Sequence, residues 1–166
     1  YVLTIQRNSS AYVKNSIFRK NKRAVKAQIL SELYISNCQF IGQHGPSIYV
    51  VHSVKVVVKQ SFFINNTMST RYTAYGHYAV INILINSTLL LQDSKVQNNT
   101  GLYSSVMGVE QSVATVSNVT VMWNIVQDHG STNIVVGNSS LSIIDSQFMY
   151  NSGVLILVSR TSTVNI

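Results

Sequence analysis

The sequence predicts an all-β solenoid of stacked coils, and a repeat that runs along the whole chain is the first observation behind this prediction. A pattern ending in Phe-x-x-Asn returns with an apolar residue and an amide three positions apart. The pairs are Phe18 and Asn21, Phe40 and Gln43, Phe63 and Asn66, Val96 and Asn99, Val121 and Asn124, and Phe148 and Asn151. Successive copies are 22, 23, 33, 25 and 27 positions apart. Such a period is typical of stacked coils and differs from the fixed repeat length of helical arrays.

Composition is the second observation, because it favours strands and argues against hairpins. Hydrophobic residues make up 46% of the chain, charged residues only 10%, and there is a single proline, Pro46. Neither Asn-Gly nor Asp-Gly occurs, so the commonest signal for a tight hairpin is missing. Strands that repeat without hairpins are joined by crossovers and run parallel, and such crossovers are right-handed. The prediction is a right-handed parallel β-helix of about seven coils.

Each coil can be divided into elements by extending the repeat backwards from its Phe or Val. A β-branched residue or leucine lies five positions before it, at Val13, Ile35, Val58, Leu91, Val116 and Ile143. A small residue lies two positions before it, at Ser16, Cys38, Ser61, Ser94, Val119 and Ser146. A hydroxyl precedes the aliphatic residue by four positions in most coils, at Ser9, Ser31, Ser87, Ser112 and Ser139. One coil therefore reads as strand, polar corner, strand, Asn or Ser corner, short strand and longer turn.

The recurring residues have physical roles in this architecture. Coils stack at about 4.8 Å, so equivalent Phe or Val side chains form one continuous buried column. An Asn amide at a fixed corner can donate and accept along the stack and thereby pair backbone groups of the turn. Gln43 can continue this ladder only with a longer reach. Cys38 occupies an inward small position, where a buried thiol acting as a small hydrophobe is favoured over a redox or nucleophilic role.

One domain, residues 1–166, is predicted, with an inserted turn loop at 68–79 and no flexible linker. No transmembrane segment is predicted, since polar residues interrupt the longest apolar run. Solenoid ends need polar caps, and neither end of the sequence resembles one. We therefore expect an uncapped segment of a longer chain, or a unit that associates with copies of itself end to end or laterally and could form a filament.

The inserted loop is the first candidate binding site. It brings five aromatic and polar side chains within eight positions: Arg71, Tyr72, Tyr75, His77 and Tyr78. Loops that project from a rigid scaffold often carry binding residues, and aromatic faces beside hydrogen-bond donors suit sugar rings. A glycan-binding loop is therefore one hypothesis. The alternative is that the tyrosines pack onto the flank of the coil and only close the loop.

A dense basic run is the second candidate binding site. The net charge is +7, and six cations surround the first Phe-x-x-Asn turn: Lys14, Arg19, Lys20, Lys22, Arg23 and Lys26. Such a run favours polyanions, either sulfated or uronate-rich glycans or an anionic membrane surface. Nucleic acid is not predicted as a partner, because no recognised binding motif accompanies the charge. The alternative is a solvated turn whose charges prevent edge aggregation.

Six Asn-x-Ser/Thr sequons, where about three would occur by chance, indicate a secreted or surface-displayed glycoprotein. They begin at Asn8, Asn65, Asn86, Asn98, Asn118 and Asn138. Asn65 and Asn98 each precede a ladder Asn, so a glycan attached there points into solvent. Accidental sequons in a repeat rich in Ser, Thr and Asn are the alternative. A single cysteine neither supports nor excludes an oxidising compartment.

No metal site, cofactor or catalytic residue is predicted. His44, His77 and His129 take similar places in their coils, but His77 and His129 lie about two coil spacings apart, too far to share one ion. The five acidic residues are Glu32, Asp93, Glu110, Asp128 and Asp145. Asp93 and Asp145 match in the repeat, yet a coil with Asn118 separates them. Paired carboxylates for general acid-base chemistry are therefore not indicated.

From Ser9 to Ser152 the Phe-x-x-Asn repeats resemble those of the polymorphic outer-membrane adhesins of bacteria and the wider pectate-lyase-like superfamily. The resemblance implies surface display, adhesion or glycan contact. It also implies an alternative, since the superfamily contains polysaccharide lyases and hydrolases that use acidic clusters. We predict an extracellular structural or adhesive β-solenoid, a stiff rod whose turns contact glycans, partner proteins or further copies of itself. A polysaccharide lyase or hydrolase is the alternative.

Overall fold

The chain forms a parallel β-helix in the computed structural model, which describes residues 1–68, 79–128, 131–159 and 161–166. The first sheet contains β1 (Leu3–Gln6), β4 (Val25–Gln28), β7 (Ile48–Val51), β11 (Ile81–Leu84), β15 (Ser104–Glu110), β19 (Thr132–Gly137) and β22 (Val154–Ser159). The second contains β2 (Ser10–Lys14), β5 (Glu32–Ser36), β8 (Lys55–Lys59), β12 (Thr88–Gln92), β16 (Val113–Ser117), β20 (Ser140–Ile144) and β23 (Thr163–Asn165).

Two smaller sheets complete the coils. The third sheet contains β3 (Ile17–Arg19), β6 (Gln39–Ile41), β9 (Phe62–Ile64), β13 (Lys95–Gln97), β17 (Thr120–Met122) and β21 (Gln147–Met149). The fourth contains β10 (Thr67–Met68), β14 (Thr100–Gly101) and β18 (Ile125–Val126). In the part of the chain that is described, this makes six coils and the first two strands of a seventh, as the repeat predicts. The fourth sheet was not predicted as a separate element.

The predicted buried column is confirmed by the register of the third sheet. Phe18, Phe40 and Phe63 are successive partners in parallel strands. Their rings stack at 4.8 and 4.9 Å with interplanar angles of 2°. The column continues through Val96 and Val121. Because each ring lies on the ring of the next coil, the core extends without a break along the rod.

The asparagine ladder is also confirmed. The Nδ2 of Asn66 donates to Oδ1 of Asn99 at 2.8 Å, and Asn99 donates in the same way to Asn124 at 2.9 Å. The backbone N–H of each donor residue points at the same oxygen. Gln43 extends the ladder into the second coil: its Oε1 accepts from the Asn21 N–H, and its Nε2 donates to the Phe18 carbonyl at 2.7 Å.

A ladder of serine side chains hydrogen-bonds the backbone N–H groups at the corner between the first and second sheets. The Ser87 N–H donates to Oγ of Ser112, and the Ser112 N–H donates to Oγ of Ser139. Each hydroxyl in turn donates to a carbonyl of its own coil, as Ser87 does to Leu84 at 2.8 Å. The short corner thus leaves few buried backbone groups unpaired, which stabilises coil-to-coil stacking.

Left-handed backbone turns the chain at every corner. Between the second and third sheets it occurs at Asn15, Asn37, Gln60, Asp93, Asn118 and Asp145, and after the third sheet at Lys20, Gly42, Asn65, Asn98, Trp123 and Tyr150. Asn, Asp and Gly tolerate this conformation better than other residues. Stacking on the neighbouring coils imposes it also on Trp123 and Tyr150.

The first and second sheets differ in what they expose. Strands β7, β11 and β19 are buried on both faces, and on the outer side Tyr49, Val51 and Leu84 form a second apolar cluster with Ile85. The strands of the second sheet instead alternate between buried and accessible residues. The outer face of the second sheet is therefore an open surface. No helix within the described residues is long and apolar enough to cross a membrane.

Candidate functional site

The first candidate binding site predicted from the sequence is the glycan-binding loop. Arg71, Tyr72, Tyr75, His77 and Tyr78 lie outside the described residues, as does His129. At the predicted loop boundaries, Met68 ends strand β10 with a buried side chain, and Ala79 is buried. The hypothesis of a glycan-binding loop stays a prediction.

The six cations predicted as one patch are distributed around the coil. Lys14 ends β2 in the second sheet, Arg19 ends β3 in the third sheet, and Lys26 lies in β4 of the first sheet. Lys20, Lys22 and Arg23 occupy the turn before β4. The Arg23 guanidinium and the Lys26 ammonium lie over the Tyr1 ring, 5.4 and 5.7 Å from its centroid. The cations therefore form a basic belt around the first two coils.

Charge is also uneven along the rod. Residues 1–68 contain nine Lys and Arg side chains and one carboxylate, Glu32. Residues 79–166 contain two cations, Lys95 and Arg160, and four carboxylates. A polyanion approaching this molecule is consequently attracted to its N-terminal coils.

The carboxylates lie as far apart as the repeat predicts. Asp93, Asn118 and Asp145 occupy the same corner of three successive coils, so a full coil separates the two aspartates. The Nδ2 of Asn118 donates to Oδ1 of Asp93 at 2.7 Å. Within the described parts of the chain, no three His, Cys, Asp or Glu residues lie close enough together to hold a metal ion.

All six sequon asparagines share one backbone conformation, although they lie at three different corners of the coil. Each has left-handed backbone with φ between 48° and 55°: Asn8, Asn65, Asn86, Asn98, Asn118 and Asn138. The third residue of each sequon begins a strand, as Thr88 and Thr100 do, and in several sequons the middle residue is a buried ladder residue, such as Ser87 or Asn99. Corner geometry thus favours Asn, a ladder residue and Ser or Thr in this order. Corner geometry is therefore a second explanation for the excess of sequons, beside glycosylation.

A groove on the outer face of the second sheet was missed by the sequence reasoning. Tyr12 and Tyr34 are register partners whose rings stack at 4.9 Å with an interplanar angle of 7°. Beside them lies a surface groove of about 410 Å³, lined by Tyr12, Lys14, Tyr34, Ile35, Ser36, Val57, Lys59 and Leu90. The tyrosines are 22 residues apart, as Phe18 and Phe40 are, and this equal offset is the sequence signal from which the groove could have been predicted.

Lys55 lies beside Tyr34 and is not one of the residues that line the groove. Its Nζ lies 5.8 Å from the centroid of the Tyr34 ring, and the Tyr34 hydroxyl donates to Oε2 of Glu32 at 3.1 Å. A hydrogen bond with Tyr34 raises the pKa of Lys55. Since this pKa lies above that of a free lysine, Lys55 is an ammonium group at every physiological pH.

Comparison with known families agrees with the coiled architecture. A family model described as a right handed beta helix region matches residues 2–166. The chain belongs to the right-handed β-helix family. The match confirms the predicted fold and its right-handed winding. It shows neither adhesion, nor catalysis, nor a location.

The curated proteins and the solved structures give no information on the function of the chain. No curated protein matches the chain. Among solved structures, that of QnrB1, a plasmid-mediated fluoroquinolone resistance protein, is similar over 95% of this chain and 92% of its own, with 11% identity and a TM-score of 0.17. This likeness is too low to bear on fold or function.

Proposed function

We propose that this β-helix is an extracellular structural or adhesive rod whose N-terminal coils contact anionic glycans. The observation that carries the proposal is the concentration of nine cations and a single carboxylate in residues 1–68. Charges on one length of a rigid rod attract a polyanion through a field that salt screens. A linear glycan that carries carboxylate or sulfate groups fits this distribution.

The ladders support the structural part of the proposal. Stacked aromatic rings and continuous Asn and Ser hydrogen bonds hold neighbouring coils in register. Surface side chains of successive coils are therefore presented at a constant spacing of about 4.8 Å. A rod of this kind can repeat a contact along an extended ligand, which a flexible chain cannot do without an entropic cost.

Surface display is part of the proposal and has a direct test. Five sequon asparagines have exposed side chains: Asn8, Asn65, Asn86, Asn98 and Asn118. The chain should be produced in a secreting eukaryotic cell and its mass compared before and after removal of N-glycans. A mass loss is expected if sequons are used. An unchanged mass would leave corner geometry as their sole explanation and remove the sequons as support for secretion.

Glycan contact is tested by measuring binding to an array of anionic and neutral oligosaccharides at low and high salt. We expect selective binding to anionic members that weakens as salt rises. A variant lacking residues 71–78 separates the predicted loop from the basic belt, because only loss of binding in this variant assigns the contact to the loop. Equal binding to neutral sugars, or none, would contradict the proposal.

The second candidate function is that of a polysaccharide lyase or hydrolase. The corner column of Asp93, Asn118 and Asp145 favours it, because the Asp93 carboxylate is held by a hydrogen bond on an accessible edge. Release of unsaturated or reducing ends from acidic polysaccharides would support catalysis. The activity should then be lost in Asp93→Asn and Asp145→Asn, and activity that survives both changes would exclude these residues.

A further inference from the structure

We propose that the groove beside Tyr12 and Tyr34 binds a short length of an acidic pyranose chain, one that carries carboxylate or sulfate groups. This inference rests on the proposed glycan contact and assigns it to one face. It concerns the outer face of the second sheet in the first four coils. The predicted loop and the remaining basic belt are not part of it.

The groove's floor follows from the register of the second sheet. Tyr12, Tyr34, Val57 and Leu90 occupy equivalent outward positions in strands β2, β5, β8 and β12. The column changes from two large rings to two shorter aliphatic side chains, so the surface steps down after Tyr34. The half-buried Val57 and Leu90 give an apolar floor, and Tyr34 forms a wall at one end.

A second column supplies charge along one rim. Lys14, Ser36 and Lys59 are register partners at the ends of their strands, and both lysines are exposed. The two lysine backbones lie two coils apart, roughly 10 Å, about the length of a disaccharide. The Ser36 hydroxyl stands between them. Lys55, the register partner of Glu32 at the other end of these strands, adds a third ammonium group beside Tyr34, outside the groove's lining.

This combination of surfaces fits a particular ligand chemistry. A pyranose ring has an apolar C–H face, which packs on aliphatic and aromatic carbon, and hydroxyl groups that need hydrogen-bond partners. A carboxylate or sulfate on alternate sugars can pair with Lys14 and Lys59 while the chain runs along the coil axis. The groove volume of about 410 Å³ accommodates two such rings.

The stacked tyrosines argue against single-stranded nucleic acid as the occupant. Binding of that kind places bases on the faces of successive aromatic rings. Here Tyr12 and Tyr34 cover one face of each other at 4.9 Å, and the Lys55 ammonium lies over the Tyr34 ring. Consecutive bases therefore cannot stack on both rings, whereas a sugar chain can lie along their edges.

The test compares matched pairs of variants by equilibrium binding. Lys14→Gln with Lys59→Gln removes two charges from the groove, and Lys20→Gln with Lys22→Gln removes two charges from the basic belt outside it. Tyr12→Leu removes an exposed groove ring, and Tyr150→Leu removes an exposed ring at the far end of the rod. The probes are an oligogalacturonate, a sulfated dextran oligosaccharide, neutral dextran and an oligothymidylate. Circular dichroism checks the folding of each variant.

We expect the groove lysine pair to weaken binding of the preferred anionic probe by about tenfold and Tyr12→Leu by about fivefold. Both controls should change the affinity by less than about twofold. The carboxylated and sulfated probes then show which acidic group is preferred.

The test distinguishes failure of the groove proposal from failure of the proposed function. Equal losses in the two lysine pairs would overturn the groove and leave general attraction by the basic belt. Wild-type protein that binds no anionic probe would overturn the proposed function itself. Tight oligothymidylate binding that is lost in Tyr12→Leu would assign the groove to nucleic acid and overturn the saccharide.

Discussion

Cys38 takes the place of a serine in the corner between the second and third sheets. Its Sγ donates to the Ser36 carbonyl at 3.3 Å, as Oγ of Ser61 donates to the Lys59 carbonyl at 2.8 Å. The Cys38 N–H in turn donates to Oγ of Ser61. Burial raises the pKa of the Cys38 thiol above its ordinary value, although two backbone hydrogen bonds lower it. The thiol is buried, as the sequence predicts, and it also acts as a hydrogen-bond donor, which the sequence did not predict.

The raised pKa of Cys38 makes the stability of the fold depend on pH. The folded state holds the thiol proton more tightly than the unfolded state, so this contribution is complete below about pH 9 and is lost as the pH rises through the folded pKa. Cys38→Ser should cost less than about 1.5 kcal/mol at neutral pH. It should also make the fall in the free energy of unfolding at alkaline pH shallower, measured by denaturant titration. An identical alkaline profile in both proteins would contradict this.

Asn99 has one of the two most heavily used amides in the described ladder, the other being that of Asn124. Its Oδ1 accepts from the N–H and the Nδ2 of Asn66, while its Nδ2 donates to Asn124 and to the Phe63 carbonyl. Asn99→Ala leaves these buried partners unpaired, so we expect it to lower the free energy of unfolding by about 3 kcal/mol. Gln97→Ala, on the accessible side of β13, is the control and should change it by less than about 0.5 kcal/mol. Similar losses in both would mean that the ladder contributes little.

At the scale of an element, left-handed backbone at the corners lowers the free energy of unfolding by an amount that depends on the residue type. Gln60 has left-handed backbone with φ of 51° in a column where Asn15, Asn37 and Asn118 occupy the same place. Gln60→Asn should raise the free energy of unfolding by about 0.5 kcal/mol, because Asn tolerates this conformation. Gln97→Asn makes the same change inside a strand and should be neutral or destabilising. A gain in both would show that the corner is not the cause.

Strands and inward columns could be predicted because each coil needs the same chemistry at the same inward position. The offsets between Phe18, Phe40 and Phe63 therefore gave the register directly. Left-handed backbone at Gln60 or Trp123 could not be predicted, because neither residue type signals it and stacking on adjacent coils imposes it. The groove at Tyr12 and Tyr34 could not be predicted from the sequence. Outward residues that become neighbours can be identified only when it is known which residues of each strand point outward.

At the scale of the whole molecule, basic residues that are close in sequence lie on different faces of the rod. Lys14 and Lys26 are twelve positions apart in sequence, yet they belong to different sheets and face different directions. The single patch that the sequence predicts is therefore a belt, and each face of the rod needs a separate test. Association end to end or laterally stays a prediction, to be tested by light scattering of the intact chain.

The ladders, the buried column and the groove all depend on one register, in which residues one repeat apart are neighbours in adjacent parallel strands. Thr115 and Ser142 are such partners on the accessible face of the second sheet, and Asn165 lies one coil further. Cα atoms of adjacent strands, about 4.8 Å apart, are within reach of a disulfide, and those two coils apart are not.

The most direct measurement is therefore disulfide formation in a Cys38→Ser background, detected by mass spectrometry. Thr115→Cys combined with Ser142→Cys should oxidise to an intramolecular disulfide without loss of fold. Thr115→Cys combined with Asn165→Cys should remain reduced under the same conditions. Failure of the first pair, or equal oxidation of both, would contradict the stacked parallel coils on which the proposed surfaces depend.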